Sequence, residues 1–248
     1  MKSFAPANIS LIFKALKRGS LGVGFTVDKG VTAEVYPSKK TKIFFNGKRI
    51  LFPTVEAILT KPTKVLLKSD LPLGAGFGLS GASAFATALA TRNKTKLECA
   101  KIAHRAEVKN KTGLGDVVNQ YYGGFLVKRV SSAKFQVQRI PIKNIPLYCI
   151  SYGKLLTSSI LQNEKLIKRI NIAADSALEK INRKMKLAEI LTVAKKFAIE
   201  SGLLTSKRVI HLIENVENRG GHASMIMLGE GVVSDIPFEG AIKLMVSG

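Results

Sequence analysis

Tryptophan is absent from this chain of 248 residues, and phenylalanine and tyrosine together make up only 7% of it. Proteins that bind single-stranded nucleic acid without sequence preference stack the bases on aromatic side chains. The shortage of aromatic residues therefore argues against a base-stacking surface.

Cysteine and histidine are also scarce, with two and three residues respectively. Cys99 and Cys149 lie far apart, no Cys-x-x-Cys pair occurs, and the histidines lack the spacing of metal ligands. These patterns argue against a structural zinc site. We expect both cysteines to be buried as small apolar residues.

Long apolar runs are missing from the chain. Glycine or polar residues interrupt every apolar stretch well before the roughly 18 residues that a membrane-spanning helix needs. The first residues lack the apolar core of a signal peptide. We therefore expect a cytoplasmic protein that has no membrane partner.

Acidic residues are few, with 17 Asp and Glu against 39 Lys and Arg, so the net charge is +22. Such a balance is typical of proteins that bind nucleic acid or anionic surfaces. The basic residues are scattered without a long basic run, which favours a solvated surface instead. The same positive field would attract ATP and a carboxylate substrate.

The pattern of apolar residues predicts a mixture of strands and helices. Residues 1–70 are predicted to be extended, with strands at 21–36 and 64–68 and a hairpin at 41–52 around an Asn-Gly turn. The remaining predicted elements are, in chain order, helices 80–92, 95–109 and 116–122, strands 125–130, 135–140 and 147–151, helices 164–182, 187–201 and 206–217, and a final strand pair at 223–228 and 241–246.

The order of these elements predicts an α+β fold with two domains that meet at a cleft. Hydrophobic residues make up 46% of the chain, which is ample for a buried core. Pro141 and Pro146 mark a linker. We place the domains at residues 1–145 and 146–248.

A glycine-rich segment at residues 72–82, with the sequence PLGAGFGLSGA, leads directly into a predicted helix. Glycines allow positive φ and a close approach of backbone N–H groups, and a helix N-terminus attracts anions, so the segment is suited to binding phosphate. It contains no Walker A lysine and lacks the spacing of a Rossmann fingerprint. A flexible turn before a core helix is the alternative interpretation of the loop alone.

This segment resembles the second motif of the GHMP kinases, Pro-x-Gly-x-Gly-Leu-x-Ser-Ser-x-Ala. Phe77 replaces its leucine, Leu79 its first serine, and Ser80 matches its second serine. The resemblance implies an N-terminal domain with a fold shared by a ribosomal protein, a ferredoxin-like C-terminal domain, and ATP as a substrate. The residues expected at the nucleotide are Pro72, Gly74, Ala75, Gly76, Phe77, Gly78, Leu79, Ser80, Gly81 and Ala82.

The same resemblance implies the roles of three polar side chains. Ser80 and Glu107 would bind Mg²⁺, which takes few protein oxygens when phosphate and water complete its shell. Asp116, in the segment TGLGD at 112–116, would be the base for the alcohol. Asn8 occupies the position at which mevalonate kinases have a lysine. The family's third, glycine-rich motif corresponds to residues 219–225.

Within the GHMP kinases, the segments at 18–31, 103–108 and 112–116 are most similar to the archaeal members that phosphorylate the primary hydroxyl of pantoate, a step of coenzyme A biosynthesis. The resemblance implies an acceptor that carries a carboxylate. Arg18 is our candidate cation for that carboxylate, and Ser20, Asn8 and His104 are the other candidate substrate contacts. A homodimer remains open.

Other interpretations also remain open. The acceptor could be that of another GHMP kinase, namely homoserine, mevalonate or shikimate, or the protein could bind ATP without turnover. A basic RNA-binding protein on the shared ribosomal fold is a third reading. It is less favoured, because RNA binding does not require Ser80, Glu107 and Asp116 together.

Overall fold

The computed structural model describes residues 1–91, 93–154 and 157–247. Arg92, at which one predicted helix ends, lies outside the described residues. The mixed α+β fold class predicted from the sequence is confirmed.

The first part of the chain builds a seven-stranded sheet around the long strand β2. One edge of β2 pairs antiparallel with β1, and its other edge pairs with β5 and then with β6. The strands are β1 Lys2–Leu16, β2 Gly19–Pro37, β3 Lys42–Phe45, β4 Lys48–Ile50, β5 Thr63–Lys68, β6 Phe125–Lys128 and β7 Gln138–Ile140. The predicted Asn-Gly hairpin joins β3 to β4.

Helices cover this sheet. They are α1 Pro53–Glu56, α2 Leu79–Thr91, α3 Lys96–Asn110 and α4 Asp116–Tyr122. Helix α2 packs on β1, β2 and α3, and most of its residues are buried. Its repeated alanines permit this burial, because small side chains let neighbouring strands and helices pack closely against several faces of the helix.

The rest of the chain forms a four-stranded sheet and its helices. The strands are β8 Pro146–Lys154, β9 Ala223–Met225, β10 Gly229–Ser234 and β11 Ile242–Met245, and the helices are α5 Thr157–Gln162, α6 Glu164–Lys180, α7 Leu187–Glu200 and α8 Lys207–Asn218. The strand order is β11-β8-β10-β9. The predicted pairing of the last two strands was therefore wrong, because β9 and β11 lie at opposite edges.

Strand β10 was missed because Gly229 and Gly231 weaken its strand pattern. Helices α1 and α5 were not predicted either. The strand predicted at 135–140 is shorter than expected, because a 3-10 turn at Ser132–Lys134 ends with Phe135 at a φ of 52°. Cys99 and Cys149 are buried, as predicted, and burial raises the pKa of the Cys149 thiol.

The two sheets meet along β1 and β2. A β-bridge joins Val27 to Val246, and helix α6 packs on β1, where the Lys14 ammonium lies 2.6 Å from the Asp175 carboxylate. The change from one sheet to the other falls between β7 and β8. The division into domains at residues 1–145 and 146–248 stays a prediction. None of the helices in the described parts of the chain has the length and apolar character to cross a bilayer.

Replacing Thr95 with alanine tests the local stability of α3. Thr95 forms a capping box at the start of α3: its hydroxyl accepts a hydrogen bond from Glu98 N, and the Glu98 carboxylate accepts one from Thr95 N at 2.9 Å. We expect Thr95→Ala to lower the free energy of unfolding by about 1 kcal/mol in denaturant titration. Thr192→Ala is the control, since that exposed threonine lies inside α7 and bonds back to Ala188 O. An equal loss in both variants would contradict the capping role.

Candidate active site

The glycine loop before α2 lines a cleft of about 330 Å³. Gly74, Gly76 and Gly78 have φ angles of 84°, 88° and 61°, as expected for a loop that turns its backbone toward an anion. The cleft continues past Thr112 to an apolar rim that includes Leu51, which is 91% exposed. The arrangement offers a polar end for phosphates and an apolar end for a base.

The ten residues predicted to contact nucleotide divide into two groups. Those that line the cleft are Gly74, Gly76, Phe77, Gly78, Leu79 and Ser80. The other four do not line it: Pro72 is exposed, and Ala75, Gly81 and Ala82 are buried. The third motif predicted at 219–225 falls just before the residues that reach the cleft. Those are Met227, whose N–H donates to Ser10 O at 3.0 Å, and Leu228.

Glu107 is fully buried near the C-terminal end of α3. Its carboxylate lies so close to two backbone segments that a Cβ at Gly81 or Gly113 would come within 2.7 Å and 2.6 Å of Oε2. Burial raises the pKa of the Glu107 carboxyl well above its usual value, and the Asp116 charge raises it further. Glu107 is therefore held where ionisation is unfavourable without a cation.

The Ser80 hydroxyl faces the same region. Ser80 Oγ and Glu107 Oε2 are both buried, and neither has a hydrogen bond of normal geometry among the described residues. Buried polar atoms rarely lack a partner, so each exception calls for an explanation. The Ser80 hydroxyl nevertheless lies near enough to Glu107 to lower the pKa of its carboxyl. One hydroxyl and one carboxylate side by side behind a phosphate-binding loop form a donor set that suits a hard cation such as Mg²⁺.

Asp116 begins helix α4, and its Oδ1 accepts hydrogen bonds from Asn8 Nδ2 at 2.7 Å and Ser10 Oγ at 3.1 Å. Both donors lie on β1 between two register shifts, which are irregularities that re-aim side chains beside active sites. Burial raises the pKa of the Asp116 carboxyl, while the Lys128 charge and the two hydrogen bonds oppose that rise. Oδ2 receives no hydrogen bond from any residue that the structure describes.

Lys128 is a site residue that the sequence analysis missed. It ends β6, is only 3% exposed, and donates from Nζ to Asn119 Oδ1 at 2.8 Å. Burial lowers the pKa of its ammonium to about 8, although the Asp116 charge acts in the opposite direction. The available signal was weak, because a lysine that follows three apolar strand residues is usually solvated at the strand end.

A second, smaller hollow adjoins the cleft. Its polar lining includes Ser20, Asp116 and Lys128, and its apolar lining consists of Ile12, Phe13, Leu21, Leu114 and Leu228. A Cβ at Gly115 would lie 2.4 Å from Ser20 Oγ and 3.0 Å from Lys128 Cε, so these side chains converge beside Asp116. Asp116, Ser10 and Leu228 line both cavities and form the wall between them.

The four predicted substrate contacts differ in their positions. Asn8 and Ser20 lie beside Asp116. His104 lines neither cavity: it is buried, its Nε2 lies 3.5 Å from Ser132 Oγ, and burial together with the charges of Lys128 and Arg105 lowers its pKa to about 4. Arg18 is exposed in the turn between β1 and β2 and also lines neither cavity.

Comparison with known proteins identifies the family of this chain. Residues 48–124 match the family model described as the GHMP kinases N-terminal domain. A pantoate kinase from Methanocaldococcus jannaschii is 32% identical over 91% of this chain and 89% of its own length. The chain belongs to the GHMP kinase family. A second pantoate kinase, from Thermococcus kodakarensis, is 30% identical over 98% of this chain and 90% of its own.

Solved GHMP kinase structures support the same fold. One structure, a phosphotransferase related to the coenzyme A biosynthesis pathway, superposes with a TM-score of 0.80 at 28% identity and covers 94% of this chain and 86% of its own. A mevalonate kinase superposes with a TM-score of 0.67 at 15% identity, over 100% and 99% of the two chains. The GHMP kinase match ends at residue 124, so it includes Glu107 and Asp116 but not Lys128.

Replacing Glu107 with glutamine tests whether burial disfavours its charge. The pKa of this carboxyl is raised in the folded protein above its value of 4.5 in the unfolded chain. Glu107 therefore makes the folded protein less stable as the pH rises above 4.5. In the presence of EDTA we expect Glu107→Gln to have a higher Tm than the wild type at pH 7, and a nearly equal Tm at pH 4. The exposed Glu214→Gln is the matched control. A lower Tm for Glu107→Gln at pH 7 would refute the argument.

Proposed function

We propose that this chain transfers the γ-phosphate of ATP to the primary hydroxyl of pantoate, forming 4-phosphopantoate, a step of coenzyme A biosynthesis in archaea. The observation that carries the proposal is the position of Asp116 in the wall between a phosphate cleft and a hollow that contains Lys128. Pantoate kinases are the relatives that this chain matches over most of its length.

The cleft is suited to the triphosphate and the base of ATP. Backbone N–H groups of the glycine loop and of the first turn of α2 would bind the phosphates. The apolar rim at Ile50, Leu51 and Phe52 would contact the adenine. Contact with the base would bury the exposed Leu51 side chain. Removing this apolar surface from water would stabilise the complex with ATP.

Mg²⁺ fits the two unpartnered oxygens behind the loop, and Ser80 and Glu107 would hold it there. When bound, the ion neutralises charge on the phosphates during transfer. Glu107 must give up its proton to become a ligand. Because burial and Asp116 raise its pKa, that ionisation is favoured by higher pH and by the cation itself.

The hollow has a volume of about 30 Å³, so a short acceptor would occupy it together with the adjoining part of the cleft. Its lining matches an acceptor with a carboxylate and an apolar centre. Lys128 would pair with the carboxylate of pantoate, and the apolar side chains of Ile12, Phe13 and Leu21 would contact its two methyl groups. The free Oδ2 of Asp116 would orient the hydroxyl and accept its proton. Galactose lacks the carboxylate, and the amino group of homoserine would repel the Lys128 ammonium.

The experiment that tests the proposal compares acceptors. ATP consumption by the purified protein is measured with pantoate, mevalonate, homoserine, shikimate and galactose, and the product is identified by phosphorus NMR. We expect kcat/KM to be highest with pantoate and phosphate to be attached to its primary oxygen. Turnover with another acceptor and none with pantoate would overturn the assignment.

Lys128 and Arg18 are alternative partners for the acceptor carboxylate, and mutation separates them. We expect Lys128→Met to raise the KM for pantoate about 10- to 100-fold, the scale of a lost charge-assisted hydrogen bond, with little change in the KM for ATP. A larger KM effect from Arg18→Ala than from Lys128→Met would favour Arg18.

The pH profile supplies a second readout for Lys128. Its ammonium has a pKa of about 8, so the charge is present below that pH and is lost above it. We therefore expect kcat/KM for pantoate to fall as the pH rises through about 8 in the wild type. Lys128→Arg keeps its charge at these pH values and should not show that fall.

A further inference from the structure

A chain of hydrogen bonds connects Lys128 to Asp116 through two asparagines. Lys128 Nζ donates to Asn119 Oδ1 at 2.8 Å, and Asn119 Nδ2 donates to Asn8 Oδ1 at 2.8 Å. Asn8 Nδ2 then donates to Asp116 Oδ1 at 2.7 Å. Asn119 is fully buried and Asn8 is 1% exposed, so water does not compete with these bonds.

The two ends of the chain determine the orientation of both amides. A lysine ammonium only donates, so Asn119 must present its oxygen to Lys128 and its nitrogen to Asn8. An ionised carboxylate only accepts, so Asn8 must present its nitrogen to Asp116. Flipping either amide would place two donors or two acceptors against each other. The hydrogen-bond chain therefore has one orientation.

Asn119 lies between Lys128 and Asn8, on the hydrogen-bonded path to Asp116. No ion pair joins Lys128 to Asp116 in the part of the chain that the structure describes, although each affects the pKa of the other. Space for the Asn119 amide depends on Gly24 of β2, because a Cβ there would lie 2.8 Å from Asn119 Nδ2. The amide thus occupies a position made for it by the neighbouring strand.

We propose that Asn119 is a positioning residue for phosphoryl transfer. It holds the Lys128 ammonium off the Asp116 carboxylate and, through Asn8, fixes the orientation of that carboxylate. The inference rests on the proposed function, because it assigns Lys128 to the acceptor and Asp116 to the reacting hydroxyl.

The separation matters for both partners. A direct ion pair would stabilise the carboxylate, making it a weaker base, and would occupy the ammonium that the acceptor needs. With the amide between them, Asp116 keeps Oδ2 for the hydroxyl and Lys128 keeps donors for a substrate carboxylate, since an ammonium has three. An apolar residue at position 119 could not hydrogen-bond to Lys128, so the ammonium would be free to pair directly with Asp116.

Asn119→Leu is the test variant, because leucine is similar in size and cannot hydrogen-bond. We expect its kcat with pantoate to fall about 10²-fold, the scale of a small misplacement of reacting groups, while the KM for ATP changes less than about threefold. Asn171→Leu is the matched control. Asn171 exchanges hydrogen bonds with the Ala15 backbone at 2.8 Å and 3.0 Å, away from both cavities, so its loss should affect Tm and leave kcat unchanged.

A double-mutant cycle distinguishes positioning from a merely structural role. If Asn119 acts by controlling Lys128, then Asn119→Leu should cost much less in kcat when Lys128 is already methionine. Equal costs in the two backgrounds would overturn the inference, and so would a normal kcat in folded Asn119→Leu.

A crystal structure of Asn119→Leu supplies a readout that does not depend on the substrate. We expect Lys128 Nζ to move within about 3 Å of the Asp116 carboxylate. A lysine that stays apart from Asp116 would refute the inference whatever the activity. A wild type that is inactive with pantoate would refute the proposed function instead, and this structural result would still decide the role of Asn119.

Discussion

Two carboxyl groups, the fully buried Glu107 and the half-buried Asp116, lie close enough that the charge of Asp116 raises the pKa of Glu107. Lys128 is the only buried lysine or arginine among the described residues, and it reaches Asp116 only through two amides. Among the described residues, no second cation pairs with Glu107. This imbalance makes the site ready for an added cation, because a metal ion would relieve both the burial of Glu107 and its repulsion by Asp116.

A short connection in the chain brings the two carboxyl groups together, and packing against α2 and β1 buries and orients them. Helix α3 carries Glu107 and helix α4 begins at Asp116, so one loop brings both carboxylates to the glycine loop before α2. Gly113 and Gly115 are needed in that connection, since a Cβ at either position would meet Glu107 or Ser20. The register shifts of β1 then turn Asn8 and Ser10 toward Asp116.

Local patterns predicted the glycine loop and helices α2–α4, and the resemblance to the GHMP kinases suggested Ser80, Glu107 and Asp116 as site residues. Lys128 could not be predicted in this way. Its role depends on β6 lying beside β2 and on Asn119 facing Gly24, and both contacts join distant parts of the chain. Arg18 was a candidate because it is next to Gly19 in the sequence, and such a local signal does not indicate which cavity a side chain reaches.

The positive surface charge acts on substrates at long range, whereas the acidic pair Glu107 and Asp116 acts only within the site. Exposed lysines and arginines are separated from the site by water and salt, which screen their effect beyond about 8–10 Å. They can therefore attract anionic ATP and a carboxylate toward the cleft, but they do little to the protonation of Glu107 or Asp116. Those states depend on burial, on Lys128 and on the few polar contacts from Asn8, Ser10, Ser80 and Thr112. The chemistry is thus controlled by a few buried groups, and the surface charge acts on encounter with the substrates.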